Sequence, residues 1–152
     1  MPEPKERPIL ITVSRRYSFP AERVFDAWLD VSLAREFLFA TPEGKMITAE
    51  LDPRVGGKFL FVDRRNEGDA AHYGVFQEID RPRRIVFSFS AEMYDVNAAR
   101  VIVEIAPRAE GCELTLTQEM PAKYAEYKDR SEKGWAMILG NLDASLKKRG
   151  PR

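Results

Sequence analysis

One histidine and one cysteine set the limits of the chemistry this chain can offer. His72 and Cys112 fall in different strand-like segments with no cluster of further ligands around either, so no metal site is expected. Nucleophilic catalysis needs a nucleophile, a base within hydrogen-bond reach and a group that orients the base. His72 is the single histidine available for that role, and its position beside a hairpin turn, just before Tyr73, reads as a solvent-exposed strand residue. There is no nucleophile elbow, phosphate-cradling glycine loop or dinucleotide fingerprint; Gly56-Gly57 is too short for any of them and reads as a bend or bulge. Carboxylates occur in pairs, Glu50 with Asp52, Glu78 with Asp80 and Glu92 with Asp95; Glu50 and Asp52 could share a strand face, but both sit beside a turn where such groups are ordinarily solvated. Glu78 reads as a structural acceptor for a turn, or as a partner of Arg54 or Arg81. No catalytic residue, metal or cofactor follows from these residues.

The aromatic residues carry more information. Phe37, Phe39, Phe59, Phe61, Tyr73, Phe76, Phe87, Phe89, Tyr94 and Trp135 sit on segments expected to surround the interior. On isolated strands Phe59 and Phe61 share a face, as do Ile85, Phe87 and Phe89. The arrangement fits either a cavity lined by aromatic rings or a core they pack shut. Basic clusters at Arg15-Arg16, Arg64-Arg65, Arg81–Arg84 and Lys147–Arg149 lie at element ends beside acidic residues and read as solvated surface.

These residues must be positioned by a chain of 152 residues, 44% hydrophobic, with 24 basic and 24 acidic side chains. That size suits one folded unit, and zero formal charge argues against nucleic acid as a partner. No stretch approaches the roughly 20 apolar residues that cross a bilayer, so membrane insertion is not expected. A lone cysteine and a charged, proline-rich start predict a cytoplasmic protein. Residues 1–8 read as a disordered tail and 9–149 as a single domain.

Alternation predicts a first strand from Ile9 to Phe19, followed by a helix opening at Pro20 and a second short helix capped by Ser32. Strands are then predicted over 46–51, 58–65, 71–79, 84–91, 100–106 and 112–120, separated by turns at Asn66–Asp69, Asp80–Arg83, Asp95–Asn97 and Pro107–Gly111. Sequential hairpins make an antiparallel meander. Trp135, Ile138, Leu139, Leu142 and Leu146 recur at helical spacing, predicting a helix of roughly 35–40 Å that begins near Ala122 and ends at Lys148. Gly134 and Gly140 lie inside it, either for close backbone approach or to leave room beside Trp135.

The segments Asp52-Pro53-Arg54-Val55-Gly56-Gly57-Lys58-Phe59, Gly74-Val75-Phe76-Gln77-Glu78-Ile79-Asp80-Arg81-Pro82, Ile85-Val86-Phe87-Ser88-Phe89 and Gly134-Trp135, with Val24–Trp28 and Glu113–Thr117 as smaller pieces, form a recognisable set. Together they resemble the activator of heat-shock protein 90 ATPase homologue-like (AHSA-type) family of the START and birch-pollen-allergen-like (SRPBCC) superfamily. The resemblance runs from Thr12 to Leu146, with Phe37 where the family commonly shows tryptophan. It implies an α+β helix-grip fold: a curved antiparallel sheet of six or seven strands wrapped around a long C-terminal helix, with two short helices between the first two strands. It also implies a binding module for an apolar small molecule, such as a lipid, sterol or polycyclic aromatic, in a cavity between sheet and helix. The expected lining is Trp28, Phe37, Phe59, Phe61, Tyr73, Phe76, Phe87, Phe89, Tyr94, Trp135 and Leu139, with Tyr73, Tyr94 or Gln118 setting orientation. The alternatives are a polyketide cyclase- or aromatase-like enzyme of the same fold, and an interaction domain with a chaperone or other protein partner. A monomer or weak dimer is expected.

Overall fold

The structure, a computed structural model, describes residues 8–41, 43–90 and 99–149. Strand β1 (Ile9–Tyr17) leads into helices α1 (Ala21–Ala27) and α2 (Val31–Phe37). Six strands follow: β2 (Lys45–Leu51), β3 (Lys58–Arg65), β4 (Gly68–Asp80), β5 (Arg84–Phe89), β6 (Ala99–Arg108) and β7 (Gly111–Met120). A 3₁₀ turn (Ala122–Tyr127) then enters helix α3 (Lys128–Lys148). The strands form one antiparallel sheet in the order β1-β7-β6-β5-β4-β3-β2, so β1 and β2 occupy opposite edges. This is the expected helix-grip architecture. Of the turns expected from the sequence, Asp95–Asn97 lies outside the described residues.

Pro20 stands just ahead of α1, and its carbonyl accepts the N–H groups of Arg23 and Val24 at 3.0 and 3.2 Å. Helix α2 is capped by Asp30, not Ser32: one Asp30 oxygen accepts from both the backbone N–H of Ser32 (3.0 Å) and its hydroxyl (2.7 Å). The C-terminal helix is shorter than its sequence suggests. At 21 residues α3 spans about 30 Å, because the chain before it tightens into the 3₁₀ turn and leaves helical geometry at Tyr124.

Curvature comes from identifiable places. The β2–β3 turn is drawn against β4, with Gly56 N–H donating to the Phe76 carbonyl (2.8 Å) and Phe76 N–H to the Gly57 carbonyl (2.9 Å). Gly56 has φ +85°, and a Cβ on Gly57 would collide with the Asp52 carbonyl, so both positions require glycine. Opposite this turn, the β4–β5 register shifts between Phe76 and Glu78, a bulge that bends the strand.

The concave face carries Phe59, Phe61, Phe76, Ile85, Phe87, Val101, Val103, Leu114 and Leu116, all buried, each worth about 1.5–3 kcal/mol on burial. Helices α1 and α2 close one end of the cup. There Trp28 and Phe37 meet edge to face at 5.3 Å, and Trp28 reaches Phe87 at 6.5 Å. Helix α3 packs on β1 and α2, and the Tyr17 hydroxyl donates to the Leu139 carbonyl at 2.7 Å.

Candidate functional site

Helix and sheet do not meet along their whole length. Between the N-terminal half of α3 and strands β3, β4, β5 and β7 lies a cavity of about 350 Å³, lined by Phe39, Thr41, Arg65, His72, Phe89, Gln118, Arg130, Ser131, Gly134, Trp135, Met137 and Ile138. A larger cleft of about 420 Å³ runs along Ser18–Glu22 and the β6–β7 turn, among loop residues on the outside of the molecule.

Register brings His72 into the cavity wall. The turn at Asn66-Glu67 pairs Arg65 with Gly68, which places His72 opposite the inward-facing Phe61. His72 is only 8% exposed, correcting its reading as a solvent-exposed residue. Its ring lies parallel to Phe39 at 4.3 Å, and Phe89 stacks on Phe39 at 5.0 Å. Burial, reinforced by the Arg65 charge, pushes the His72 pKa down to about 4 against weaker opposition from nearby carbonyls and Asp63. The imidazole is therefore neutral at pH 7, and its Nδ1 is buried with no partner among the described residues.

Phe39 owes its place in this stack to a left-handed backbone at φ +61°, an uncommon state for a bulky residue that costs on the order of 1–3 kcal/mol. Trp135 completes the aromatic wall, crossing Phe39 and Phe89 at 5.8 Å each. Its indole N–H donates to Gln118 Oε1 at 2.6 Å, which fixes the amide and leaves both N–H donors of the Gln118 nitrogen without a partner among the described residues.

Behind the wall sits Asp63, 1% exposed. Its Oδ2 accepts from the Thr41 hydroxyl (2.7 Å) and Arg65 Nε (2.9 Å), while Oδ1 is buried without a partner among the described residues. Arg65 also donates to the Phe39 carbonyl at 3.3 Å, tying the cavity wall to this ion pair. The Arg64-Arg65 cluster thus divides: Arg64 faces solvent beside Asp69, whereas Arg65 turns inward.

The residues expected to line a cavity separate into groups. Phe89 and Trp135 line it. Trp28, Phe37, Phe59, Phe61, Phe76, Phe87 and Leu139 are buried in the packed core instead, because α1 and α2 seal that end of the cup. Tyr73 pairs with Leu60 and Ser90 on the other face of the sheet, so it does not reach the cavity; Tyr94 lies outside the described residues. Sequence reasoning missed Thr41, Arg65, His72, Arg130, Ser131, Met137 and Ile138 as lining residues, and read Phe39 only as one aromatic of the interior.

Three of the carboxylates singled out in the sequence sit in surface ion pairs. Glu78 pairs with Arg84 at 3.1 Å, not with Arg54 or Arg81; Asp52 pairs with Arg54 and Asp80 with Arg83. Burial raises the Cys112 thiol to about 11, which leaves it an unreactive core residue. Among the described residues no three His, Cys, Asp or Glu side chains converge, and no helix is long and apolar enough to cross a membrane.

A curved sheet gripping a helix, with a partly open cavity at one end, defines a helix-grip α+β protein of the ligand-binding type. The family described as Activator of Hsp90 ATPase homolog 1-like protein matches residues 18–147, and the chain belongs to that family. Among solved structures it is similar to the AHSA1-like protein of Aeromonas hydrophila, with a TM-score of 0.80, 20% identity, and 95% of this chain and 96% of that one covered. A protein of Chromobacterium violaceum gives 0.77 at 25% identity over 90% and 96% of the two chains. One from Nitrosomonas europaea gives 0.79 at 18% identity over 93% and 96%. These likenesses concern the fold. No curated protein matches.

Proposed function

We propose that the chain is a binding module that holds a small apolar or aromatic molecule between the sheet and α3. The observation that carries this reading is the cavity itself, about 350 Å³ with a wall of stacked rings and a few fixed polar groups. That composition is characteristic of small-molecule sites. The volume is at the low end of the roughly 300–1,000 Å³ such sites occupy, which favours one- or two-ring molecules over a sterol or long-chain lipid. A planar guest that buries roughly 200 Å² would gain about 5 kcal/mol before the cost of association.

The test is a thermal-stability screen of the intact chain against sterols, fatty acids and one- to three-ring aromatics. Stabilisation by the small aromatics, lost in Trp135→Ala, is the expected result. A panel without any shift would sink the reading.

His72 and Asp63 favour a second reading, an enzyme of the cyclase type, because both are ionisable groups inside the fold. At a pKa of about 4, however, His72 is too weakly basic for efficient proton abstraction near neutrality, which makes it better suited to orient a guest by hydrogen bonding. Chemical change of any bound panel member, abolished in His72→Phe, would shift the balance to the enzyme. A chaperone-docking role calls for a contiguous exposed apolar patch. Among the described residues the large exposed apolar side chains, Leu10, Val31, Ile47, Val55 and Tyr127, are scattered over four elements and the β2–β3 turn.

A further inference from the structure

We propose that the occupant of the cavity is an aromatic acid, its ring system among Phe39, Phe89 and Trp135 and its carboxylate turned to Arg65 and Arg130. The inference rests on the binding reading above and narrows it to a charge class. Among the described residues, two arginines and no Asp or Glu line the cavity. Arg65 is answered from behind by Asp63 at 2.9 Å, whereas Arg130 has no acidic partner among the described residues. The walls therefore present a surplus of one positive charge to whatever enters.

Hydrogen-bonding capacity points the same way. Gln118 turns its amide nitrogen outward from the bond to Trp135, and Ser131 adds a hydroxyl at the helix side. His72 is the independent observation. More than nine-tenths buried, it lines the cavity, and its Nδ1 is buried with no partner among the described residues. A neutral hydrocarbon or sterol ring would leave the buried amide N–H donors of Gln118 and the Arg130 guanidinium unanswered by the guest. A carboxylate accepts from several donors at once, and its bonds to guanidinium are about twice as strong as neutral ones.

Calorimetric titration of the full chain with naphthoate and with naphthamide, which keeps the rings and removes the charge, tests the assignment. Naphthoate should bind roughly tenfold or more tightly than the amide. That preference should shrink in about 0.5 M salt and in Arg130→Gln. Arg130 is exposed, so this variant should melt like the parent. The double variant Asp63→Asn with Arg65→Gln removes the inner ion pair as a unit and should reduce the preference further. Equal affinity for acid and amide, or a preference that Arg130→Gln leaves untouched, overturns the acid assignment and leaves the binding cavity standing. If neither compound binds while uncharged aromatics still stabilise the chain, the acid assignment again falls alone. If no aromatic binds at all, both readings fall.

Discussion

Burial holds the His72 ring neutral: its pKa of about 4 lies well below the ordinary 6.5 that an unfolded chain would show. As pH falls through 6.5 the unfolded chain takes up a proton that the folded chain refuses, so native stability declines until about pH 4, below which both states are charged. By pH 5 the loss from this one group amounts to about 2 kcal/mol. His72→Phe keeps a flat ring against Phe39 and removes the titration. Urea unfolding at pH 7 and pH 5 should therefore show the variant losing less stability than the parent by about that amount; equal losses would mean the imidazole takes its proton within the fold. The inward position of His72 was within reach of the sequence. A two-residue turn at Asn66-Glu67 fixes which residues face each other, and counting back from it sets His72 against Phe61. Periodicity within β4 alone could not show this, since inward His72, Gly74 and Phe76 alternate with the equally apolar Tyr73 and Val75. Arg65 escaped for a different reason. Its inward turn depends on Asp63, whose burial follows from the same face as Phe59 and Phe61.

At the scale of elements, the glycines of α3 and β4 do opposite things. Gly74 is needed for packing: a Cβ there would collide with the Ser88 carbonyl and lie 2.7 Å from the Phe59 ring. Gly74→Ala should lower the unfolding free energy by about 1–3 kcal/mol, measured by denaturant titration. At Gly134, which lines the cavity, a Cβ would meet nothing within 4 Å, while at Gly140 it would meet only Arg15 Nη1 at an ordinary 3.7 Å. Helix propensity therefore favours alanine at both positions by up to about 1 kcal/mol. Gly134→Ala and Gly140→Ala should both raise the melting temperature, but only Gly134→Ala should weaken naphthoate binding, because only it adds a methyl to the cavity wall. Equal binding by the two variants would show that Gly134 keeps no space for a guest. The strands and their turns were legible because apolar alternation and Gly, Asp, Asn and Pro at the turns are local signals. The start of α3 was less so. The 3₁₀ turn before it shares the composition of a helix, and the break at Tyr124 leaves no mark in the residue pattern.

On the scale of the whole molecule, the aromatic residues form one connected core with two ends, linked through Phe59, whose ring meets both Phe39 and Phe87. Trp28, Phe37 and Phe87 fill the end of the cup that α1 and α2 close, while Trp135, Phe39 and Phe89 border the cavity at the other end. From sequence these rings looked like one set. What sets the two ends apart is the seating of two short helices between strands at opposite edges of the sheet, a long-range arrangement that no local pattern encodes. The arrangement has a direct spectroscopic consequence, because one of the two tryptophans, Trp135, borders the cavity and the other, Trp28, lies at the far end of the core. The indole N–H resonances, assigned by Trp28→Phe and Trp135→Phe, should respond differently to naphthoate. That of Trp135 should shift on titration, since its ring is part of the cavity wall, and that of Trp28 should stay put. Trp28→Phe should cost about 1–3 kcal/mol of stability through the space it opens in a closed core, yet leave naphthoate affinity intact. If the Trp28 resonance moves as far as that of Trp135, or Trp28→Phe abolishes binding, the two regions act as one and the guest reaches into the core beneath α1 and α2.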